Sequence, residues 1–561
     1  MSTLTLPLLR RISLGRMPRS VKPRWYQDPW LVALIVTTVL ISIAADIMAS
    51  HSQTIALYSD AHSHLTVARR VLDNARPGLA QLGSVWLPLP HILMLPFIWN
   101  DFLWRTGLAG TLTDFPCFIA AALAIFLTIR RLTHNSLASF IGAHVFVLNP
   151  NILYLQSTPL SEPVLFATLA MASYYFVVWA QDGRTKYLLL TAVWAMLATI
   201  ARYDGWPLFL ALLVLMVIID VQRKQSQGKI INDVVLFGML GGLGIVLWFL
   251  WNLVLYGDPL YFAHGPFSSA QQTKHFIAEG VVATDHNLWE SIRSFSVVTM
   301  ESLGPVLFVL GIIGVVVFII KRRFTPEVLA TMTVLVPFPF YILAFFLGQD
   351  VMFVPHANHA PYVFYNARFG AEMVAPAGVF IGLLVHDLFA QRWRAGQTLL
   401  LGTMLVQQFL IAAGGVITIQ DGQYGLSCYV ARPIAAYLAQ HYNGGAVLMD
   451  TYHSLIDVSV ADMTFKNIIY EGNGRLWDQA LADPEDHVDW IITTPGDLIT
   501  AKIDTSSPLF QAHYRAVMRE GDQLTLWHLN GLAPLPSRPL PDDVLQPYRH
   551  CSQVPVIFSQ L

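Results

Sequence analysis

Residues 86–106 read WLPLPHILMLPFIWNDFLWRT, and whether this stretch crosses a bilayer decides the layout of the whole chain. Hydropathy makes it a candidate span, but Trp86, Pro88, Pro90, Pro96, Asp101 and Arg105 make it a poor spanning helix and a good interfacial or re-entrant one. Further candidate spans lie near 29–49, 113–130, 136–153, 163–180, 187–202, 206–220, 233–255, 303–320, 327–347, 369–389 and 396–418. The cationic connectors arbitrate. Arg130-Arg131, Arg184 with Lys186, Arg223-Lys224 with Lys229, Lys321-Arg322-Arg323, and Arg392 with Arg394 occupy every second connector, the pattern of loops that face the cytoplasm. If 88–106 crossed, all five would lie opposite the basic N-terminus, which carries Arg10, Arg11, Arg16, Arg19, Lys22 and Arg24. If it does not cross, every cationic cluster shares one side. The expectation is therefore an α-helical polytopic membrane protein with about 11 transmembrane helices and a cytoplasmic N-terminus.

Composition agrees. The 561 residues are 55% hydrophobic and 12% charged, about half the charged share of ordinary globular chains, and mean hydropathy is +0.51. These values argue against a soluble protein. No basic tract interleaved with aromatics points to nucleic acid, so none is expected as a partner. Cys117, Cys428 and Cys551 form no metal or redox motif, and pairing of Cys428 with Cys551 stays open. The apolar run 29–49 is too long for a signal-peptide core and reads as the first anchor.

Three regions follow: a cytoplasmic basic segment (1–28), a transmembrane unit (29–420), and an extracytoplasmic α/β domain (421–561). The outer side holds large loops at 50–112 and 256–302, with shorter segments at 154–162, 202–206 and 348–368. Function is expected on these loops, which hold most of the non-helical chain and most of its His, Asp and Glu.

Within the first loop, Tyr58-Ser59-Asp60-Ala61-His62-Ser63-His64 opens a helical stretch over 60–73. Ala61, Leu65, Ala68 and Leu72 form one stripe, with Ser59, Ser63, Thr66, Arg70 and Asp73 opposite, as in a helix lying on a membrane surface. Asp60 is either a helix cap or a functional carboxylate. His62 and His64 are too few to define a metal site, and a divalent metal is left open. Glu162 opens the helix 163–180, where a carboxylate also suits the helix dipole. Arg202 sits in a turn where it can pair locally with Asp204, and Arg368 enters a span where it can pair with Glu372 one turn on. Together these residues place two carboxylates and two arginines at outer helix ends, level with a lipid phosphate. An arginine fork neutralises phosphate, and a carboxylate takes the proton of an attacking hydroxyl. Transfer of a sugar from a polyprenyl phosphate needs these parts, and no second carboxylic acid, because phosphate is already a good leaving group.

With one anchor before Ser59-Asp60, then His64-Leu65, Ala68-Arg69-Arg70, Trp86-Leu87-Pro88-Leu89-Pro90, the Glu162 loop, the loop after the seventh span and Asn366-Ala367-Arg368-Phe369, the chain resembles the GT-C superfamily of membrane glycosyltransferases. That group contains the protein O-mannosyltransferases and the aminoarabinose transferase of lipid A. The resemblance covers roughly residues 30–420. It implies a GT-C fold, a polyprenyl-phosphate sugar donor, Asp60 as catalytic base and Glu162 as a second acidic site residue. It further implies Arg202 and Arg368, with His64 and Tyr58, as substrate-binding residues. Many relatives carry a second acid directly after the first-loop Asp, where this chain has Ala61. The acceptor would be an unidentified glycan, lipid or protein hydroxyl on the outer face of the cytoplasmic membrane, with membrane lipid as a further partner. A polytopic secondary transporter or lipid flippase is the alternative reading, against which stand the missing internal repeat and the gathering of ionisable groups at outer helix ends. A third, a structural or assembly subunit, would be indifferent to Asp60→Asn.

The C-terminal region reads as a small domain with a helix over 430–441, strands at 446–450 and 488–494, and a hairpin pairing 515–519 with 524–528 through Glu520-Gly521-Asp522-Gln523.

Overall fold

The structure is a computed structural model. It describes residues 28–355, 363–388, 394–429, 432–452, 458, 459, 461, 463–521 and 524–540. The basic N-terminal cluster, Arg392, Cys551 with its pairing, and the Asp522-Gln523 half of the expected hairpin turn lie outside these residues.

Among the described residues, seven helices are long and apolar enough to span a bilayer: Pro29–His51, Leu108–Thr133, Glu162–Asp182, Gly205–Gln222, Pro305–Arg322, Ala367–Asp387 and Thr398–Tyr424. Three bent pairs complete ten: Ser136–Val147 with Pro150–Gln156, Gln227–Gly241 with Leu243–Tyr256, and Pro326–Leu335 with Pro337–Phe346. Two shorter apolar helices, Leu89–Ile98 and Thr185–Thr199, lie outside this count, the second being 15 residues and about 22 Å long. The bends have local causes: Pro150 and Pro337 each open a second half-helix, and Gly242 separates Gln227–Gly241 from Leu243–Tyr256. Large apolar side chains such as Leu40, Ile47, Leu210, Met239, Val254 and Phe409 stand exposed around the bundle. That is untenable in water and expected of a lipid-facing, multi-pass protein.

The connectors sort into two ends. At one, Arg131 bonds Gln181 and Asp182, Arg130 reaches Asp28, Arg322 donates to the Leu132 carbonyl, and Lys321 donates to the Asp387 carbonyl. At the other, Ser59 N–H donates to the Ser427 carbonyl, Leu89 N–H to the Ile200 carbonyl, and Trp251 Nε1 to the Gly83 carbonyl. The segment 86–106 begins and ends at this second end: Leu89 is tied to Ile200, and Arg105 donates to the Ser459 carbonyl. Its helices, Leu89–Ile98 and Asp101–Arg105, are 10 and 5 residues long, too short to span a bilayer.

The helix expected over 60–73 runs Ser59–Leu72 (α2, following α1 at Pro29–His51). Its surroundings differ from the expectation. Leu72 is 45% exposed whereas Asp73 is buried, and His64, Val67, Arg69 and Val71 join Ala61, Leu65 and Ala68 in the interior. The physical reason lies in the C-terminal region. Leu65 and Ala68 share one apolar cluster with Trp104, Ile434, Leu438, Phe465 and Trp490, so α2 is roofed by protein. Arg69 is enclosed because Asp73, Asp101 and the carbonyls of Ile98 and Trp99 satisfy it.

That C-terminal region is α/β, as expected. Its sheet has the order β2-β1-β3-β5-β4, with β1 Val447–Met449, β2 Ile468–Ile469, β3 Trp490–Thr493, β4 Tyr514–Glu520 and β5 Leu524–Leu529. β1 runs parallel to β2 and β3, and the expected β4–β5 hairpin pairs Arg515 with His528 and Arg519 with Thr525.

Two spans form the centre of the bundle. Glu162–Asp182 and Ala367–Asp387 are buried over 83% and 94% of their apolar windows, against 17% for α1. Close approach here depends on missing side chains: a Cβ on Gly142 would lie 2.6 Å from the Gly378 carbonyl oxygen and 2.9 Å from Gly382 Cα. In lipid, where apolar burial no longer drives association, such small-residue contacts hold helices together. Gly378→Val should therefore lower the melting temperature in detergent, at a cost of about 1–3 kcal/mol. Gly402→Ala, which meets nothing within 4 Å, should leave it unchanged.

Candidate active site

The chain entering α2 is pinned to the end of the last span. Ser59 N–H donates to the Ser427 carbonyl, Tyr429 N–H to the Leu57 carbonyl, and the Tyr58 hydroxyl to the Thr418 carbonyl at 2.6 Å. Tyr58 is thereby the N-cap residue of α2, and Asp60 sits in the first turn rather than at the cap. The Asp60 side chain remains 30% exposed, and Arg368 Nη2 donates to its Oδ2.

Arg368 reaches that position because Asn366 takes a left-handed conformation (φ +54), which Asn tolerates better than most residues and which turns the chain into Ala367–Met373. The Ala367 N–H donates to Asp421 Oδ2 at 2.9 Å, and the Tyr58 hydroxyl reaches the same oxygen at 3.2 Å. The Arg368 guanidinium lies 5.0 Å from the Tyr58 ring centre, so Tyr58 forms a buried floor beneath it.

Glu162 is the junction. It is the first residue of one of the two central spans, it is 1% exposed, and its Oε1 accepts from Arg202 Nη1 and from Arg368 Nε, both at 2.9 Å. Arg202 also donates to Asp204 Oδ2 at 3.2 Å, Ser161 Oγ at 3.0 Å and the Tyr341 hydroxyl at 3.2 Å. Burial works against the Arg202 charge, but Glu162 and the other acids around it more than offset this and hold its pKa well above the ordinary value. The expected Arg202–Asp204 pair is present within this larger network. Arg368, by contrast, pairs with Asp60 and Glu162 and not one turn along its own segment. Glu372 instead accepts from the Tyr341 hydroxyl at 2.6 Å and lies 3.7 Å from Arg202. The 3₁₀ winding of Ala367–Met373 removes the α-helical i, i+4 register on which that expectation relied.

The remaining expected residue lies beside this cluster, within reach of the Glu162 charge. His64 is buried, bonded through Nδ1 to His91 Nε2 at 2.8 Å and packed on Trp86. Burial pushes its imidazole down to about 3, so it is neutral at ordinary pH. His62 turns elsewhere, stacking on Tyr429 with its Nε2 3.0 Å from the Ala56 carbonyl. Among the described residues, no group of three or more His, Cys, Asp or Glu converges as metal ligands do.

Sequence reasoning missed Tyr341, Asp421 and Asp350. Asp421 belongs to the last span, Thr398–Tyr424, but lies beyond the apolar run at 396–418 that hydropathy marks, so sequence reasoning assigns it to the following region. Asp350 lies in the 348–368 loop, where burial, partly offset by hydrogen bonds from Val351 and Ser269 and by the two arginines, pushes its carboxyl up to about 6. Tyr341 carries no signal: one tyrosine in an apolar run reads as core. In sum, Asp60, Glu162, Asp204, Glu372 and Asp421 surround two guanidinium groups. These acids outnumber the bases, and Asp60 is the most accessible member.

Comparison with known proteins adds to this picture. A model of the dolichyl-phosphate-mannose-protein mannosyltransferases matches residues 105–251, a stretch containing Glu162 and Arg202. The crystal structure of ArnT from Cupriavidus metallidurans bound to undecaprenyl phosphate superposes with a TM-score of 0.51 at 11% identity, over 90% of this chain and 99% of that one. The oligosaccharyltransferase of Archaeoglobus fulgidus gives 0.49 at 11% identity, over 86% of this chain and 71% of that one. No curated protein matches in sequence. At such identities the likeness is one of fold.

Removing the shared carboxylate should be costly, because two buried guanidinium groups lose their common counter-charge and keep Asp204 and Asp60 as hydrogen-bonded acids. Glu162→Gln is expected to destabilise the protein by about 3–5 kcal/mol, read as a fall in melting temperature in nanodiscs. Asp60→Asn, at the accessible end of the same network, should cost about 1 kcal/mol or less.

Proposed function

Taking as premise the GT-C fold of this multi-pass membrane chain, we propose that it is an inverting glycosyltransferase. It moves a sugar from a polyprenyl-phosphate donor to a hydroxyl acceptor on the outer side of the cytoplasmic membrane. One observation carries the reading. Asp60 is an accessible carboxylate oriented by Arg368, which is itself locked to Glu162 and thereby to Arg202.

Each residue has a chemical task in that reading. The acceptor hydroxyl binds against Asp60, which takes its proton as the oxygen attacks the anomeric carbon on the face opposite the phosphate. The carbon–phosphate oxygen bond breaks as the new glycosidic bond forms, so the anomeric centre inverts. The leaving phosphate carries its own charge away and needs no protonation. Arg368 Nη1, the guanidinium atom without a hydrogen-bond partner, is the donor available to a phosphate oxygen. Glu162 acts as a positioning residue, since its Oε1 is occupied by both arginines. His64 lies beside this layer and Tyr58 beneath it, and no nucleic acid takes part.

The cationic connectors support an orientation with the basic N-terminal segment in the cytoplasm and the C-terminal α/β domain outside. The membrane unit spans 29–420 and carries the catalytic end. The ArnT structure holds undecaprenyl phosphate, which supports a polyprenyl phosphate as the donor lipid here.

The test is transfer of labelled sugar from polyprenyl phosphate in proteoliposomes. Asp60→Asn should reduce the rate by about 10²–10⁴, the usual contribution of a general base. Equal rates for the two proteins would overturn the assignment.

A further inference from the structure

Beyond Asp60, α2 continues as a polar track. Ser59, Asp60, Ser63, Thr66 and Arg70 remain partly accessible, while Ala61, His64, Leu65, Val67, Ala68, Arg69 and Val71 are buried. Residues 59, 63, 66 and 70 are spaced four, three and four apart, so they line one face of the helix.

The two arginines near the far end have opposite circumstances. Arg69 is saturated by two carboxylates and two carbonyls. Arg70 has no carboxylate paired with it among the described residues, and its buried Nε has no hydrogen-bond partner. Its guanidinium lies 4.8 Å from the Tyr470 ring centre, and Tyr256 is close enough to feel its charge. A partly buried cation without a counter-charge is costly, and one held against tyrosines is placed to receive an anion.

The surroundings of Arg70 form the seam between the first loop and the C-terminal domain. The Tyr470 hydroxyl donates to Gln81 Oε1, and Asn473 Nδ2 donates to Asn74 Oδ1 at 2.7 Å. Further along the seam, Tyr452 meets Phe267 at 4.3 Å between ring centres, and its hydroxyl lies 3.4 Å from that of Tyr261. Aromatic faces beside planar amides and a guanidinium suit the apolar faces and hydroxyls of sugar rings.

We propose that the accessible face of α2 is an acceptor track, and that Arg70 ends it as a subsite for an anionic group on a sugar acceptor. The assignment rests on the transferase reading above. Its placement separates acceptor from donor. Ten residues of helix put Arg70 about 15 Å from Asp60. The departing phosphate is bonded to the very carbon under attack, so it belongs beside Asp60 and cannot reach Arg70. The anionic group recognised at Arg70 is then a carboxylate or phosphate several bonds from the reacting hydroxyl.

The experiment uses the full chain in nanodiscs, titrated with a glucuronate-terminated trisaccharide and with its neutral glucose-terminated counterpart. The acidic probe is expected to bind at least tenfold more tightly. Arg70→Gln should abolish that preference, Arg70→Lys should keep part of it, and Arg515→Gln on the C-terminal sheet should leave it intact. Thr66→Trp, which obstructs the track with Arg70 in place, should weaken the acidic probe as well. It carries the test if the melting curve of Arg70→Gln shows misfolding. Undecaprenyl phosphate, titrated separately, should bind wild type and Arg70→Gln equally. Absence of an acidic preference, or its survival in Arg70→Gln, would overturn the subsite. Loss of undecaprenyl phosphate binding in Arg70→Gln would assign Arg70 to the donor and overturn the acceptor role. Asp60→Asn should still bind the acidic probe, so failure of the catalytic assignment reads out separately.

Discussion

One carboxylate oxygen of Glu162 accepts from two guanidinium groups, and the arrangement of the bundle depends on that bond set. Neither arginine can enter a low-dielectric interior alone, and a buried carboxylate is equally costly without partners. Three segments far apart in sequence therefore have to converge: the start of the helix at Glu162, the turn carrying Arg202 and the turn carrying Arg368. The first and last open the two most enclosed spans of the molecule, so the charges are set into its least deformable part. Asp60 then receives its orientation from a group that cannot move without breaking the network.

This division between a rigid buried layer and one more accessible carboxylate is also the chemical content of the site. Arg202 and Arg368 are charge-balanced before any substrate arrives. The acids around them outnumber them, which makes the cluster a poor general anion trap and a selective one. The accessible part of α2 offers the contrast, with Arg70 facing the seam uncompensated. The C-terminal domain matters in both places. Through Leu65, Ala68 and the Tyr470–Gln81 and Asn473–Asn74 contacts it fixes α2 against protein on the side where lipid or water would otherwise be.

The failures of sequence reading share that origin. The α2 stripe of Ala61, Leu65 and Ala68 was legible from its period, but its continuation to Leu72 was not, because a domain nearly 400 residues later covers α2 on a face that leaves Leu72 exposed. The Arg368–Glu372 pair rested on an α-helical spacing that a 3₁₀ turn abolishes, and both side chains found partners on other helices. His64 has the composition of a ligand and the burial of a core residue. Tyr341 shows the same limit: a polar group in an apolar run announces that it needs a partner without naming which.

Hydropathy and the alternation of cationic connectors are properties of the chain alone, set by the solvents each segment can tolerate. They sufficed for a multi-pass helical bundle followed by an α/β region near the C-terminal end. Asp60, Glu162, Arg202 and Arg368 were also legible, because charged residues at helix ends are costly enough to stand out from an apolar background. Which carboxylate faces which guanidinium was decided only in the tertiary structure. Pairing there depends on distances between helices that touch nowhere in sequence, and in a low dielectric a shift of a few ångströms decides whether a buried charge is satisfied or stranded.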